Sequence, residues 1–246
     1  MSDSVTAKVL DLLAAFTAEQ PELTLTELSR RTGLPRPTVH RLTAELVSWG
    51  ALEREERGPF RVGLRLWEVA SLAPRSLGLR ERAMPFLEDL FEVTRQNVQL
   101  AVLDGQEAVY VERLSARGAV GVVTRVGGRL PLHATGVGQV LLAHAPAELQ
   151  ERVLASALAA LTTKTIVEPR ELRRVLADVR RTGVAICDGQ VELKSLSIAA
   201  PVRGSSGEIT AALSVVVPSA TGATSYVPAV RAAARGISRS LGSRLS

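Results

Sequence analysis

The chain has a single cysteine and only three histidines among its 246 residues. Cys187 therefore cannot form an intramolecular disulfide. The histidines His40, His133 and His144 lie far apart in the sequence and lack the spacing of zinc ligands. We expect no structural zinc site, no other metal and no cofactor.

Long hydrophobic runs are also absent. No window reaches the roughly 18 uninterrupted apolar residues that a membrane helix requires. The N-terminus, MSDSVTAKVLDLL, lacks the basic start and apolar run of a signal peptide. We therefore expect a cytoplasmic protein with no membrane partner.

Aromatic side chains make up only 3% of the chain, whereas 46% of its residues are hydrophobic. Leu, Val, Ile and Ala must then form the cores, and this hydrophobic content argues against a disordered chain. Single cores tend to stop growing at about 250 residues, and most domains are smaller. The length therefore favours two domains.

The formal net charge of +5 is unevenly distributed. Residues 1–76 contain as many acidic as basic side chains, so the surplus lies in the rest of the chain. Within this neutral part, residues 28–44 contain no acid and carry four basic side chains: Arg30, Arg31, Arg36 and Arg41. A local basic stripe of this kind suits a polyanionic partner, although Arg30 and Arg31 could also simply face solvent.

Two short helices are predicted at the N-terminus. Apolar residues recur at helical spacing from Val5 to Phe16, which predicts the first helix. Thr24 followed by Glu27 matches a capping box, in which the two side chains satisfy free backbone N–H groups at a helix start. The second helix should end at Gly33, because glycine tolerates the left-handed conformation of a helix C-terminus.

A third helix and a hairpin follow. Pro37 lies where a first-turn proline is tolerated, and the helix should end near Gly50. The segment ALEREERGPFRVG contains two short extended pieces around Arg57, Gly58 and Pro59, which predicts a β-hairpin with a charged tip. Three helices and a hairpin in this order are typical of a winged helix-turn-helix.

The rest of the chain mixes helices and strands. One helix should begin at Leu64 and stop at Pro74, and another should cover residues 77–95. The segment VQLAVLDGQEAVYVERL predicts two strands joined at Asp104 and Gly105. Further strands are expected at residues 120–125, 183–187, 196–202 and 209–217, and further helices at residues 136–144, 147–155, 168–181 and 226–241. The expected fold class is a multidomain α+β protein whose C-terminal α/β domain has an antiparallel sheet.

The third predicted helix carries side chains that could read DNA. A helix-turn-helix places the first turns of such a helix in the major groove. Arg36 and Arg41 could hold phosphate or guanine bidentately, Thr38 suits a phosphate or a base edge, and His40 could donate to either. Arg57 at the hairpin tip could touch the adjacent backbone or minor groove. The alternative is a solvated basic face on an ordinary three-helix module.

The segment TELSRRTGLPRPTVHRLTAELVSWGALE resembles the N-terminal domain of the IclR family of bacterial regulators. The likeness continues through GLRLWEVA, which is similar to the family's linker helix, and through RLPLHATGVGQVLLA and GVAICDGQVELKSLSIAAPV to ITAALSVVVPS. It implies a homodimer, with a tetramer as a further option, that binds double-stranded DNA at a palindromic operator. It also implies a GAF-like C-terminal domain that binds a small organic effector, often a carboxylate or an aromatic catabolite.

The resemblance also implies the boundaries of the domains. Residues 1–63 would form the winged helix-turn-helix, residues 64–76 the linker helix and residues 77–246 the effector-binding domain. The candidate DNA-binding residues are Thr26, Arg36, Pro37, Thr38, His40, Arg41 and Arg57.

Residues 132–138 are a candidate anion-binding segment for a reason that is independent of the resemblance. Small residues open a helix there, so free N–H groups and the positive end of the helix dipole can face an anion such as a carboxylate. Alternatively, Gly136 and Gly138 only allow close helix packing. His133 could be a structural side chain at a strand end.

The resemblance places the ligand-lining positions at Leu132, Gly136, Val137, Cys187, Asp188, Ser195, Ser197 and Ser214. Serine hydroxyls and a carboxylate could then hold one end of a ligand while Leu132, Val137 and Val216 cover its apolar part. The chain has Cys187 where some members have an acid, and Ser197 where some have cysteine. Cys187 also fits a small buried hydrophobe, which we prefer to redox sensing because no second cysteine can resolve an oxidised sulfur.

No catalytic motif is present in the sequence. The segment GVGQVL lacks the third glycine and the strand context of a dinucleotide fingerprint. There is no G-x-S-x-G elbow, Walker loop or H-E-x-x-H. We therefore expect a protein that is not an enzyme. Two alternatives stay open: a small-molecule enzyme whose N-terminal module mediates protein contacts, and a DNA-binding regulator without an effector.

Overall fold

The computed structural model describes residues 4–17, 19–56, 58–72 and 77–243. The chain divides into two units, Met1–Pro74 and Arg75–Ser246. Among the residues described, no helix is both long and apolar enough to cross a membrane.

The N-terminal unit is a winged helix-turn-helix, as the sequence predicts. Its elements are α1 (Val5–Ala14), β1 (Glu22–Leu23), α2 (Leu25–Thr32), α3 (Arg36–Trp49), β2 (Leu52–Arg54), β3 (Phe60–Val62) and α4 (Leu64–Ser71). The strands pair antiparallel in the order β1-β3-β2. The sequence does not predict β1, and α1 ends two residues earlier than expected because the Phe16 N–H bonds to the Leu13 carbonyl in a tighter turn.

The elements of this unit share one apolar core. Its buried members are Leu12, Leu23, Leu28, Val39, Leu42, Leu52 and Phe60. The predicted capping box starts α2: the Thr24 backbone N–H donates to Glu27 at 2.8 Å, and the Glu27 N–H donates to the Thr24 hydroxyl at 3.3 Å. At its other end, Gly33 adopts a φ of +69°.

The C-terminal unit is built on a six-stranded antiparallel sheet. Its elements are α5 (Leu77–Thr94), β4 (Asn97–Asp104), β5 (Glu107–Leu114), β6 (Arg129–Pro131), α6 (Gly136–Ala143), α7 (Ala147–Ala155), α8 (Pro169–Thr182), β7 (Ala185–Asp188), β8 (Ser195–Arg203), β9 (Ile209–Pro218) and α9 (Val227–Ser240). The strand order is β6-β5-β4-β9-β8-β7. One face of the sheet packs against α5 and α9, and the other packs against α6, α7 and α8.

One predicted strand of this unit is wrong. Residues 120–125 form no strand, although their sequence has high β propensity. Side chains of the neighbouring sheet bond this segment instead: Asn97 Nδ2 donates to the Val120 carbonyl at 2.8 Å, and Arg113 Nη1 donates to the Thr124 carbonyl. These bonds satisfy carbonyls that a strand would use in a ladder. The short edge strand β6 forms further along the chain, where the sequence does not predict one.

Candidate functional site

The helix α3 is held out from the N-terminal unit by a short, hydrogen-bonded turn. Ser29 Oγ donates to the Leu34 carbonyl at 2.6 Å, which fixes the link between α2 and α3. On the inner side of α3, Val39 and Leu42 are fully buried. The packing of this inner side leaves the opposite side of α3 open to a partner.

The candidate DNA-binding residues lie mainly on the exposed surface. Thr26, Arg36, Pro37, His40 and Arg41 are exposed, Thr38 is half-buried, and Arg57 lies outside the described residues. Arg41 Nη1 forms an ion pair with Glu45 Oε1 at 2.9 Å, in which both side chains stay well exposed. Arg31 is exposed as well, but its Nη1 donates to the Ala15 carbonyl at 2.6 Å and so supports the end of α1.

A cavity lies in the C-terminal unit, on the face of the sheet that carries α6; its empty space of about 390 Å³ includes volume open to solvent. Its lining comes from all six strands of the sheet, the start of α6 and two loops. The lining residues are Gln99, Tyr110, Val122, Val123, Thr124, Leu130, Ala134, Thr135, Gly136, Cys187, Gln190, Val191, Glu192, Ser195, Ser197 and Val216.

Strand pairing brings the wall of this cavity together. Ser197 on β8 lies beside Cys187 on β7 and beside Val216 on β9. Val216 in turn faces Asn97 on β4. Segments far apart in the sequence therefore supply one continuous wall.

The start of α6 closes one side of the cavity. Thr135 caps this helix by accepting the Gly138 N–H at 3.0 Å. A Cβ atom on Gly136 would lie 2.7 Å from Ser197 Oγ and 3.3 Å from the Ala199 Cβ. This geometry supports the close-packing interpretation of the glycine. Anion binding by the first turn of α6 stays a prediction, and Gly136 borders the cavity in either case.

The structure brings four of the eight candidate ligand residues to the cavity: Gly136, Cys187, Ser195 and Ser197. Val216, expected to cover the apolar part of a ligand, also lines it.

The other four candidates lie elsewhere. Leu132 and Val137 are buried in the core that α6 forms against the sheet. Asp188 is exposed and bonds to Lys164 Nζ at 2.7 Å and to the Ser219 hydroxyl. Ser214 is fully buried, and its Oγ has no hydrogen-bond partner among the described residues.

Sequence reasoning missed several polar residues of the wall. Gln99 lies between apolar residues of β4, and its Nε2 donates to Thr124 Oγ1 at 2.6 Å. A polar residue between apolar neighbours in a predicted strand is a signal that could have indicated Gln99. Gln190 and Glu192 follow β7 in a loop whose sequence has no such signal. His133, in contrast, is buried, and its Nε2 bonds to the Ala159 carbonyl at 3.0 Å, as a structural side chain would.

Burial disfavours the charged forms of three titratable side chains in the cavity wall. It raises the pKa of the Cys187 thiol and of the Tyr110 hydroxyl well above their usual ranges, so both are neutral near pH 7. Burial also raises the pKa of Glu192, while the N–H of Val123 and the charge of Arg113 act in the opposite direction. No group of three metal-ligating side chains occurs within the described ranges.

Both units match known domains. Residues 5–56 match the IclR helix-turn-helix domain, and residues 72–239 match the bacterial transcriptional regulator IclR C-terminal domain. The HTH-type transcriptional regulator XynR of Escherichia coli strain K12 is 32% identical over 85% of this chain and 83% of its own length. The HTH-type transcriptional regulator Rv1719 of Mycobacterium tuberculosis is 34% identical over 87% of this chain and 82% of its own.

Solved structures of similar proteins span nearly the whole chain. An IclR homologue from Microbacterium hydrocarbonoxydans, complexed with 4-hydroxybenzoate, has a TM-score of 0.93 and 40% identity, and the match covers 97% of this chain and 99% of that chain. A regulator from Rhodococcus sp. RHA1 has a TM-score of 0.83 and 31% identity over 96% of this chain and 97% of its own.

Proposed function

The chain belongs to the IclR family of transcriptional regulators, with a DNA-binding helix-turn-helix and a C-terminal effector-binding domain, and we propose that a small organic effector bound in the C-terminal cavity changes its affinity for an operator. Proteins of this family are named as regulators and not as enzymes. The enzyme alternative is therefore dropped.

On the DNA side, we propose that α3 enters the major groove and that Arg36, Thr38, His40 and Arg41 contact the duplex. The exposure of most of these side chains on the open side of α3 supports this role. Two winged helices in a dimer would place their recognition helices roughly 34 Å apart, or a multiple of that distance, and would read a palindrome. Pairing of C-terminal domains is the proposed route from dimers to tetramers.

On the effector side, the observation that carries the proposal is the cavity itself. Half of the ligand positions expected from the sequence border it, together with the polar side chains of Gln99 and Gln190. The similar protein from Microbacterium hydrocarbonoxydans is complexed with 4-hydroxybenzoate. We propose an aromatic or other small carboxylate as the effector of this chain, held by Ser195, Ser197 and the first turn of α6.

Effector binding in the C-terminal unit would change DNA binding by the N-terminal unit by shifting the populations of two arrangements of the dimer. An effector that binds one arrangement more tightly shifts the population toward it and thereby changes operator affinity. We propose that residues 1–63 form the DNA-binding domain, that α4 within residues 64–76 is the linker helix, and that residues 77–246 form the effector domain. Action on chromosomal DNA would place the protein in the cytoplasm.

The test combines operator selection with ligand titration. Sequencing of the genomic fragments that the purified protein retains would identify the operator, and fluorescence anisotropy would give its dissociation constant. A panel of aromatic and aliphatic carboxylates should contain at least one compound that raises the melting temperature, because selective binding to the folded state stabilises it. The same compound should change operator affinity. Unchanged affinity across the whole panel would instead favour a regulator without an effector.

A further inference from the structure

The wall of the effector cavity contains one formal charge, and that charge is negative. Among its described lining residues there is no lysine, arginine or histidine, and Glu192 is the only carboxylate. Cys187 and Tyr110 are neutral near pH 7, since the ordinary pKa of each group lies above 7 and burial raises it further. A ligand in this cavity therefore meets hydroxyl, amide and backbone groups together with a single carboxylate.

Two hydrogen bonds hold the backbone of Glu192 beside the cavity. Its backbone carbonyl accepts the Ser195 N–H and the Ser195 hydroxyl, each at 2.9 Å. The backbone N–H of Val123, in another segment of the cavity lining, favours the charged form of the Glu192 carboxylate. The backbone of Glu192 is thus held in place before any ligand arrives.

The Arg113 guanidinium does not neutralise this carboxylate by a direct ion pair. Arg113 attracts Glu192 electrostatically, but no salt bridge joins the two among the described residues. Arg113 instead donates from Nη1 to the Thr124 carbonyl and from Nη2 to Ser115 Oγ at 3.3 Å. The guanidinium is therefore already engaged with other acceptors and does not line the cavity.

A carboxylate can accept hydrogen bonds but cannot donate them, and it repels a second anion. We infer that Glu192 selects the effector: it accepts a hydrogen bond from a hydroxyl or another donor group of the ligand, and it excludes ligands that carry a second carboxylate there. The inference rests on the proposed function of the cavity. It narrows the effector class to small molecules with at most one negative charge and a donor group away from it.

Two para-substituted benzoates form a matched pair of probes for this inference. 4-Hydroxybenzoate carries one carboxylate and one hydroxyl donor, whereas terephthalate replaces the hydroxyl with a second carboxylate. Titration calorimetry on the full-length protein would give both dissociation constants. We expect terephthalate to bind the wild type more than about tenfold more weakly, since like charges brought together at a binding site repel strongly.

The variant Glu192→Gln removes the charge but keeps the length of the side chain and an oxygen that can accept a hydrogen bond. It should reduce the difference between the two ligands severalfold, mainly by tighter binding of terephthalate. Glu148→Gln, at an exposed position in the first turn of α7, is the matched control and should behave as the wild type. Glu192→Ala removes both the charge and the acceptor, so it measures what loss of the whole carboxyl group does to the binding of both ligands.

The outcomes distinguish failure of the selective role of Glu192 from failure of the proposed effector class. Equal affinity of the wild type for both probes, or an unchanged ratio in Glu192→Gln, would overturn the selective role of Glu192 while leaving the cavity as a ligand site. Binding of neither probe to the wild type or to Glu192→Gln would overturn the aromatic carboxylate assignment and this inference with it.

Discussion

The hydroxyl oxygen of Ser197 lies 2.7 Å from the position that a Cβ atom on Gly136 would occupy. The same position is 3.3 Å from the Ala199 Cβ. These contacts set the distance between the first turn of α6 and strand β8. Because both residues border the cavity, the contact also shapes the site where we propose the effector binds.

Gly136→Ala should therefore destabilise the C-terminal unit. The added methyl group must displace α6 or Ser197, and overpacking of this kind usually lowers the free energy of unfolding by about 1–3 kcal/mol. Urea unfolding followed by circular dichroism would measure the change. Gly78→Ala is the control, since nothing lies within 4 Å of a Cβ there and α5 would gain a better helix former. Equal stability of the two variants would contradict the crowding argument.

The double variant Gly136→Ala with Ser197→Ala tests the same contact from its other side. Removing the Ser197 hydroxyl removes the closest of the clashing atoms, but the Cβ atoms of Ser197 and Ala199 stay at 3.3 Å. We expect the second substitution to recover part of the lost stability, so the two effects on unfolding free energy should not add. Strict additivity would show that the hydroxyl is not the atom that opposes the methyl group.

Ser197→Ala alone should weaken the effector response and spare DNA binding. A lost hydrogen bond to a ligand typically reduces binding by about 0.5–1.5 kcal/mol. Calorimetry with a stabilising ligand and anisotropy with the operator measure the two properties separately. If both properties were lost together, a folding defect would be the explanation instead.

Local signals explain why the N-terminal unit could be predicted closely. The capping box of Thr24 and Glu27 and the glycine at position 33 act within one turn of chain, so the sequence alone indicates where α2 begins and ends. Strand β1 was missed for the opposite reason. It has two residues and forms because Leu23 pairs with Phe60, a partner that no local pattern indicates.

The C-terminal unit shows where sequence patterns fail. The β-prone segment at residues 120–125 was expected to be a strand, but side chains from β4 and β5 bond its carbonyls. Periodicity carries no information about such long-range side-chain partners. The cavity wall also depends on long-range partners, because the pairing of β9 with β4 and β8 brings Val216 beside Asn97 and Ser197. Glu192 could not be placed at the site before the loop that carries it was known.

Arg41→Ala should weaken operator binding by about 1–3 kcal/mol if the guanidinium makes a bidentate base contact. The ion pair with Glu45 does not oppose this role, because exposed pairs are typically worth about 0–1 kcal/mol and a phosphate or base can replace the carboxylate. Anisotropy with operator and scrambled duplexes at several salt concentrations would measure the change. Arg170→Ala, an exposed arginine on α8, is the control.

The comparison of the two duplexes separates two roles for Arg41. Loss of affinity for the operator alone would indicate base recognition, whereas equal loss for both duplexes with a shallower salt dependence would indicate a phosphate contact. Wild-type affinity for both would reject a contact with DNA at this position.

Cys187 should react slowly with thiol reagents in the folded protein. Burial raises the pKa of its thiol, so the neutral form predominates near pH 7, whereas it is the thiolate that attacks the reagent. Mass spectrometry after treatment with iodoacetamide would follow the reaction at the single cysteine, with the urea-unfolded chain as the fast reference. Because Cys187 lines the cavity, a bound effector should slow the reaction further, whereas a compound that binds only elsewhere should not. A native rate equal to that of the unfolded chain would contradict the burial of Cys187 in the wall of the cavity.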